Sequence, residues 1–124
     1  VVTPEARRLA ARYWPGPLTL VLRKQDGQPE WVGDAERGTV GVRVPGHAGL
    51  LELLTKTGPL AATSANLVGE APALSAAAAK RSFGEAIAVY LPGTSPGGIA
   101  STVLDLSSGR VVVLRPGPVP WPEP

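Results

Sequence analysis

Segments with strand-like and helix-like patterns alternate along this chain, and this order restricts the folds that it can adopt. Leu18–Arg23 is mostly apolar, which predicts a strand buried on both faces. Residues 39–44 alternate valines with Thr39, Gly41 and Arg43, which predicts a strand whose valine face packs. Strands alternating with helices of about ten residues indicate an α/β domain on a twisted, mixed β-sheet flanked by helices.

Three helices are predicted, each from a polar residue at its start. The first has Pro4 at its first position and ends before Pro15, because a residue that precedes proline disfavours helix. His47, the one histidine, either caps the second helix or meets solvent. The helices cover residues 4–13, 48–56 and 76–83, after Thr3, His47 and Ser75.

Further strands are predicted from short apolar runs between glycines and prolines. A hairpin that turns at residues 107–109 joins residues 101–106 to 110–115, and Asp105 is interpreted as the anchor of that turn. The domain is predicted to cover residues 1–117, followed by a proline-rich tail, residues 118–124, that is extended or disordered. Other strands are expected at residues 60–62 and 86–91, with a short return strand at Trp31 and Val32.

Composition excludes several classes of function. With 124 residues the chain is long enough for one core, and a net charge of +2 does not by itself indicate nucleic acid. It has no cysteine, which removes disulfides and thiolate catalysis. No apolar run has the length of a membrane span and no signal peptide is recognisable, so we expect a cytoplasmic protein without a membrane partner.

The most distinctive stretch is residues 58–66, where the apolar run ending at Ala62 changes into small polar residues. Small hydroxyl and amide side chains at a strand end suit a site where backbone approaches a ligand closely. Hydroxyls and arginines at other predicted strand edges suit anion binding, because arginine pairs with carboxylates or phosphates. The alternative is that these residues only form turns and solvated strand ends: Thr39, Arg43, Thr63, Ser64, Asn66, Ser101, Thr102 and Arg115.

Five segments, in this order and at suitable spacing, make the chain similar to a known family. Together they resemble the YrdC/Sua5 (TsaC) family of threonylcarbamoyl-adenylate synthases, over about residues 15–117. The segments are Pro15-Gly16-Pro17-Leu18-Thr19, Val42-Arg43-Val44-Pro45-Gly46-His47, Ala62-Thr63-Ser64-Ala65-Asn66-Leu67-Val68-Gly69, Ser101-Thr102-Val103-Leu104-Asp105 and Leu114-Arg115-Pro116-Gly117.

The resemblance implies a YrdC/RibB-like fold and an activity. L-threonine, bicarbonate and ATP, accompanied by Mg²⁺, would give threonylcarbamoyl-AMP and pyrophosphate. The product would serve the t6A modification of tRNA, which makes t6A transferase proteins expected partners. Binding of tRNA or double-stranded RNA is also implied.

The resemblance also assigns roles to individual residues. Thr39, Ser64, Asn66 and Arg115 align with ATP contacts, with Ser64 at the phosphates. Arg43 aligns with the residue that pairs with the threonine carboxylate, Ser101 with another threonine contact, and Ala62 with a backbone contribution to the amino-acid pocket. No residue is assigned as a catalytic acid or base, and no protein-bound metal is implied.

The chain departs from the family pattern at its front. Family members begin with a segment that includes a basic Lys-x-Arg-Pro motif, which this sequence lacks. We therefore expect an N-terminally incomplete domain, the C-terminal two-thirds of a synthase, that makes little or no threonylcarbamoyl-AMP alone. The alternatives are a non-catalytic RNA-binding module and a relative of the carbamoyl-transfer domains in hydrogenase-maturation proteins.

Overall fold

The computed structural model describes residues 1–95 and 97–122, which form two compact units. The first unit is Val1–Leu60 together with the chain from Ile99 onward, and the second is Ala61–Gly98. The first unit contains the sheet and the second contains one helix with its flanking loops.

The three predicted helices are confirmed. They are α1 (Pro4–Tyr13), α2 (Ala48–Thr57) and α3 (Ala76–Phe83). Each begins after a side chain that accepts a hydrogen bond from a backbone N–H in the first turn. Thr3 and Ser75 therefore cap their helices as predicted, and His47 takes the capping role, one of the two expected of it. Within the described chain, no helix combines the length and apolar character needed to cross a membrane.

A four-stranded mixed sheet forms the centre of the first unit, as predicted. Its strands are β1 (Leu18–Arg23), β2 (Thr39–Val42), β3 (Thr102–Asp105) and β4 (Val112–Arg115), in the order β2-β1-β3-β4. The central pair, β1 and β3, is parallel, and both outer pairs are antiparallel. The predicted hairpin is therefore confirmed as β3 and β4, with shorter strands than expected.

The core lies on one face of this sheet, which we call the core face. Leu18, Leu20 and Leu22 of β1 are buried there with Leu104 of β3, and α1 contributes Ala6 and Leu9. The residues between these leucines, Thr19 and Val21, are only half-buried. The prediction that β1 is buried on both faces is therefore wrong, because the described helix that packs on β1 covers only one of them.

The valine face of β2 packs less completely than expected. Val40 and Val42 lie opposite Leu22 and Leu20, which places them on the core face. Val40 is half-buried, but Val42 is 37% exposed. The reason is that β2 is an edge strand, and α1 lies over its neighbour β1.

The described part of the predicted proline-rich tail forms no helix or strand and is docked on the core face through Val119. Val119 is 5% exposed, and both its N–H and its carbonyl are hydrogen-bonded to Thr102 Oγ1, at 2.9 and 2.8 Å. A Cβ at Gly117 would lie 2.4 Å from Thr102 N, so only glycine permits this approach. Residues 123 and 124 lie outside the described residues.

Three of the predicted strands do not form. Residues 60–62 and 86–91 lie in loops, apart from a short 3₁₀ turn at Gly84–Ala86. Trp31, expected in a return strand, lies in a turn and is 79% exposed. These apolar runs have no strand to pair with among the described residues, and an unpaired run cannot satisfy its backbone as a strand. The loop expected at residues 92–98 is described except for Pro96.

Candidate functional site

The polar face of the sheet, the face opposite the core face, carries several of the predicted site residues. Side chains alternate between faces along a strand, so Thr19 lies on the polar face because its neighbours Leu18 and Leu20 are in the core. The register pairs Thr19 with Val103 of β3, and Val103 with Arg115 of β4. Ser101, two residues before Val103, lies on the same face.

Ser101 is the centre of a hydrogen-bonded cluster on this face. Arg115 Nε donates to the Ser101 carbonyl at 3.0 Å, and Arg115 Nη2 donates to Ser101 Oγ at 3.1 Å. Thr19 Oγ1 lies 2.9 Å from Ser101 Oγ. Ser101 is 7% exposed, so a guanidinium and a neighbouring hydroxyl hold a nearly buried hydroxyl in place.

Arg43 stands on the other side of Thr19. The β2–β1 register pairs Val42 with Leu20, so the next residue of the chain, Arg43, comes level with Thr19. Its Nε donates to Gly16 O at 2.9 Å, and Gly16 N in turn donates to Val44 O at 2.8 Å. A Cβ at Gly16 would lie 2.3 Å from Tyr13 O, so this turn requires glycine.

The cluster is positively charged. Arg43 and Arg115 flank the two hydroxyls, and neither guanidinium pairs with a carboxylate of the described residues. Each arginine also keeps N–H groups that have no acceptor there, since only Nε of Arg43 and Nε and Nη2 of Arg115 are engaged. Such a pair of cations beside fixed hydroxyls suits a small ligand with a carboxylate or phosphate.

Thr39 lies on the polar face but at its far end. It is buried and pairs with Arg23, the last residue of β1, whereas Ser101 lies near the start of that strand. Arg43 follows it by four positions, about 13 Å at the usual strand rise. The structure therefore brings together Arg43, Ser101 and Arg115, but not Thr39.

The remaining predicted residues belong to the second unit. Ala62 and Ser64 are exposed in the loop before α3. Asn66 Nδ2 donates to Leu67 O at 2.9 Å, while its Oδ1 is buried without a hydrogen-bond partner among the described residues. This loop is also tied back on itself, because Ala73 N donates to Ala65 O at 2.8 Å.

His47 and Asp105, whose side chains could take part in catalysis, have structural roles. His47 Nδ1 accepts a hydrogen bond from Leu50 N at 3.2 Å, so His47 caps α2, which is one of the two roles expected of it. Asp105 Oδ1 accepts from Ser107 N at 2.8 Å, which confirms that it anchors the hairpin turn. Within the described residues, no three His, Cys, Asp or Glu side chains group as a metal site.

Sequence reasoning missed Thr19 as a site residue. It was recognised only as the last position of the Pro-Gly-Pro-Leu-Thr segment, and its strand was expected to be buried on both faces. The alternation of Leu18, Leu20 and Leu22 was the signal that could have placed Thr19 on the polar face. Its partner Ser101 is 82 residues away in the chain, and only the parallel pairing of β1 and β3 brings the two together.

Comparison with known proteins identifies the family. The model of the Sua5/YciO/YrdC family, which carries the description "Telomere recombination", matches residues 1–117. A Mycobacterium tuberculosis relative is 43% identical over 115 residues, which are 92% of this chain and 52% of that protein. The "Threonylcarbamoyl-AMP synthase" of Pyrococcus abyssi is 39% identical and covers 98% of this chain, which in turn covers 36% of that protein.

Solved structures agree with this result. The P. abyssi Sua5 structure complexed with L-threonine is 39% identical, with a TM-score of 0.83, and covers 97% of this chain and 36% of its own. Escherichia coli YciO is 27% identical, with a TM-score of 0.75, and covers 94% of this chain and 58% of its own. This chain spans about half the length of the first curated relatives that it matches. By its sequence and by its fold, the chain belongs to the Sua5/YciO/YrdC family.

Proposed function

We propose that this chain acts in the synthesis of threonylcarbamoyl-AMP from L-threonine, bicarbonate and ATP, and that the polar face of its sheet binds L-threonine. The observation that carries the proposal is the cluster in which Arg115 and Thr19 hold the hydroxyl of Ser101, with Arg43 beside it. Two facts about relatives support it: several are named threonylcarbamoyl-AMP synthase, and P. abyssi Sua5 has a structure complexed with L-threonine.

L-threonine offers groups that match this cluster. Its carboxylate accepts two parallel hydrogen bonds from a guanidinium, and the Nη groups of Arg43 have no acceptor among the described residues. The Ser101 hydroxyl is a second contact with a fixed position. The role of Ala62 as a backbone contact stays a prediction from the resemblance.

ATP is the second proposed substrate, and Thr39 and Arg115 are its proposed contacts on the polar face. Ser64 and Asn66 stay predictions of ATP contacts from the resemblance. Mg²⁺ would arrive with ATP, since this ion is commonly held by substrate phosphates and a few protein oxygens. The product joins a carbamate to AMP, so a carbamate oxygen must displace pyrophosphate at the α-phosphate. Positioning and charge neutralisation suit such a displacement, and the free guanidinium N–H groups of Arg115 can supply part of the charge.

The binding claim is tested by titrating this chain with L-threonine in a calorimeter. The Arg43→Ala variant should bind at least about tenfold more weakly, because a charge-assisted hydrogen bond is lost. Arg110→Ala removes an exposed arginine in the hairpin turn, outside the cluster, and should leave the affinity unchanged. Equal affinities of the wild type and Arg43→Ala would contradict the assignment. Threonine-dependent pyrophosphate release by this chain would support the proposed reaction.

RNA binding is the second candidate function, favoured by the two arginines that pair with no described carboxylate. A tRNA or double-stranded RNA backbone would be bound through phosphates, so affinity should fall steeply with salt. Salt-dependent tRNA binding without any L-threonine binding would favour this function over the first. Transfer of the product to tRNA by t6A transferase proteins is part of the first proposal.

A further inference from the structure

Thr19 makes a side-chain hydrogen bond that the pairing of the strands does not require, and the resemblance to the family gives Thr19 no role in ligand binding. Its hydroxyl is half-buried on the polar face, and its one hydrogen-bond partner within the described residues is the hydroxyl of Ser101, at 2.9 Å. The two strands are already joined by the backbone pairing of β1 with β3. The side-chain hydrogen bond is therefore not needed to pair the strands, but it fixes the direction of the Ser101 hydroxyl.

Counting hydrogens shows what remains free. Ser101 Oγ can donate one hydrogen and accept two, and Arg115 Nη2 fills one acceptor position. If Thr19 donates into the second position, the Ser101 hydrogen has no acceptor among the described residues. An oxygen that accepts from two donors becomes a stronger donor itself, because successive hydrogen bonds polarise one another.

We infer that Thr19 is a positioning residue that acts through Ser101. Its hydroxyl donates to Ser101 Oγ, which holds this oxygen in one χ1 rotamer and directs the Ser101 O–H away from the sheet, toward an oxygen of the bound ligand. The identity of that ligand, L-threonine, rests on the function proposed above. Without the Thr19 hydroxyl, the Ser101 side chain would rotate among its staggered positions. The affinity for the ligand would then fall, because binding would have to order this side chain.

Thr102 provides a matched comparison. It is the next residue after Ser101, it is also buried, and its Oγ1 also makes hydrogen bonds, but on the core face and to the backbone of Val119. Removing the Thr102 hydroxyl should weaken folding without changing the polar face. Removing the Thr19 hydroxyl should instead change Ser101.

The test compares Thr19→Val, which removes the hydroxyl and keeps the shape, with Thr19→Ser, which restores a hydroxyl, and with Thr102→Val. The χ1 angle of Ser101 is measured by three-bond NMR couplings in the ligand-free chain, and L-threonine affinity is measured by calorimetry. We expect a single χ1 in the wild type, Thr19→Ser and Thr102→Val, and averaging in Thr19→Val. Affinity should fall about threefold to tenfold in Thr19→Val only, which is the usual range for one hydrogen bond.

Each outcome is decisive. An unchanged χ1 at Ser101 in Thr19→Val overturns the inference, whether or not L-threonine binds. Averaged χ1 with unchanged affinity also overturns it, because Thr19 would then support only the free structure. If the wild type does not bind L-threonine, the proposed function fails, and the χ1 comparison alone decides whether Thr19 orients Ser101. Should Thr19→Val not fold, Thr19→Ala removes the same hydroxyl from the same half-buried position.

Discussion

The two faces of the sheet differ in what their side chains contact, although they come from the same strands. On the core face, leucines of β1 and β3 are buried against α1, and the buried hydroxyl of Thr102 is bonded to the backbone of Val119. On the polar face, Thr19 and Arg115 bond to the hydroxyl of Ser101, and Arg43 bonds to the carbonyl of Gly16. Both arginines keep N–H groups that have no acceptor among the described residues. We therefore expect stability and the proposed binding to be separable, since neighbouring residues of the same strands make different contacts.

The largest expected effect is on the core face. Leu20→Ala should lower the free energy of unfolding by about 2–5 kcal/mol, because a fully buried leucine leaves a cavity between β1 and α1. Val21, its neighbour, is half-buried on the polar face, and Val21→Ala should lower the free energy of unfolding by only about 1 kcal/mol. Urea unfolding followed by circular dichroism measures both. Equal losses of stability in the two variants would contradict the difference that we describe between the two faces.

The next test concerns the buried hydroxyl of Thr102, the first residue of β3. Thr102→Val should cost about 1–3 kcal/mol, because it leaves the N–H and the carbonyl of buried Val119 without partners. Thr102→Ser keeps the oxygen and should recover most of the loss in the same unfolding experiment. If Thr102→Val is as stable as the wild type, the docked tail contributes nothing.

A smaller and local effect is expected at α2, which has no buried residue and follows the strand that leads to Arg43. His47→Ala removes the N-cap and should destabilise this helix by about 1 kcal/mol. Amide hydrogen exchange should show faster exchange within α2 and no change in the core strands. His47→Asn, which can also cap, should exchange like the wild type; faster exchange in β1 would show that α2 is coupled to the core.

The smallest effect is expected on the outer surface of α1. A hydrogen bond from Arg8 lowers the pKa of Glu5 below its ordinary value. A lowered carboxyl pKa stabilises the fold above the ordinary value, and this contribution is lost as the pH falls through the lowered one. Both side chains are largely exposed, so the contribution is small. The difference in stability between wild type and Glu5→Gln should be present at neutral pH and vanish in acid; a difference that grows in acid would contradict the pairing.

The sequence predicted the first unit better than the second. Helix caps such as Thr3 are local signals, and the hairpin of β3 and β4 is also local, so both were predictable. In the second unit, α3 with its cap Ser75 was predictable for the same reason. The run at residues 86–91 has the composition of a strand but no neighbour to pair with among the described residues, and pairing cannot be read from a single segment.

The candidate site shows the same limit. The resemblance indicated Arg43, Ser101 and Arg115, and the sheet places them on one face. Arg115 meets Ser101 across the hairpin of β3 and β4. The contact between Thr19 and Ser101 could not be predicted, because it depends on the parallel register between β1 and β3, which no single segment shows. Thr19 was missed for that reason.

The central claim is that the polar face, and not the core face, binds L-threonine. Its most direct test is a series of ¹H–¹⁵N NMR spectra of this chain during titration with L-threonine. We predict that the amide signals of Thr19, Gly41 and Ser101 shift with a common saturation curve, while those of Leu20 and Leu104 shift little. Absence of shifts on the polar face at saturating L-threonine, or larger shifts on the core face, would contradict the account.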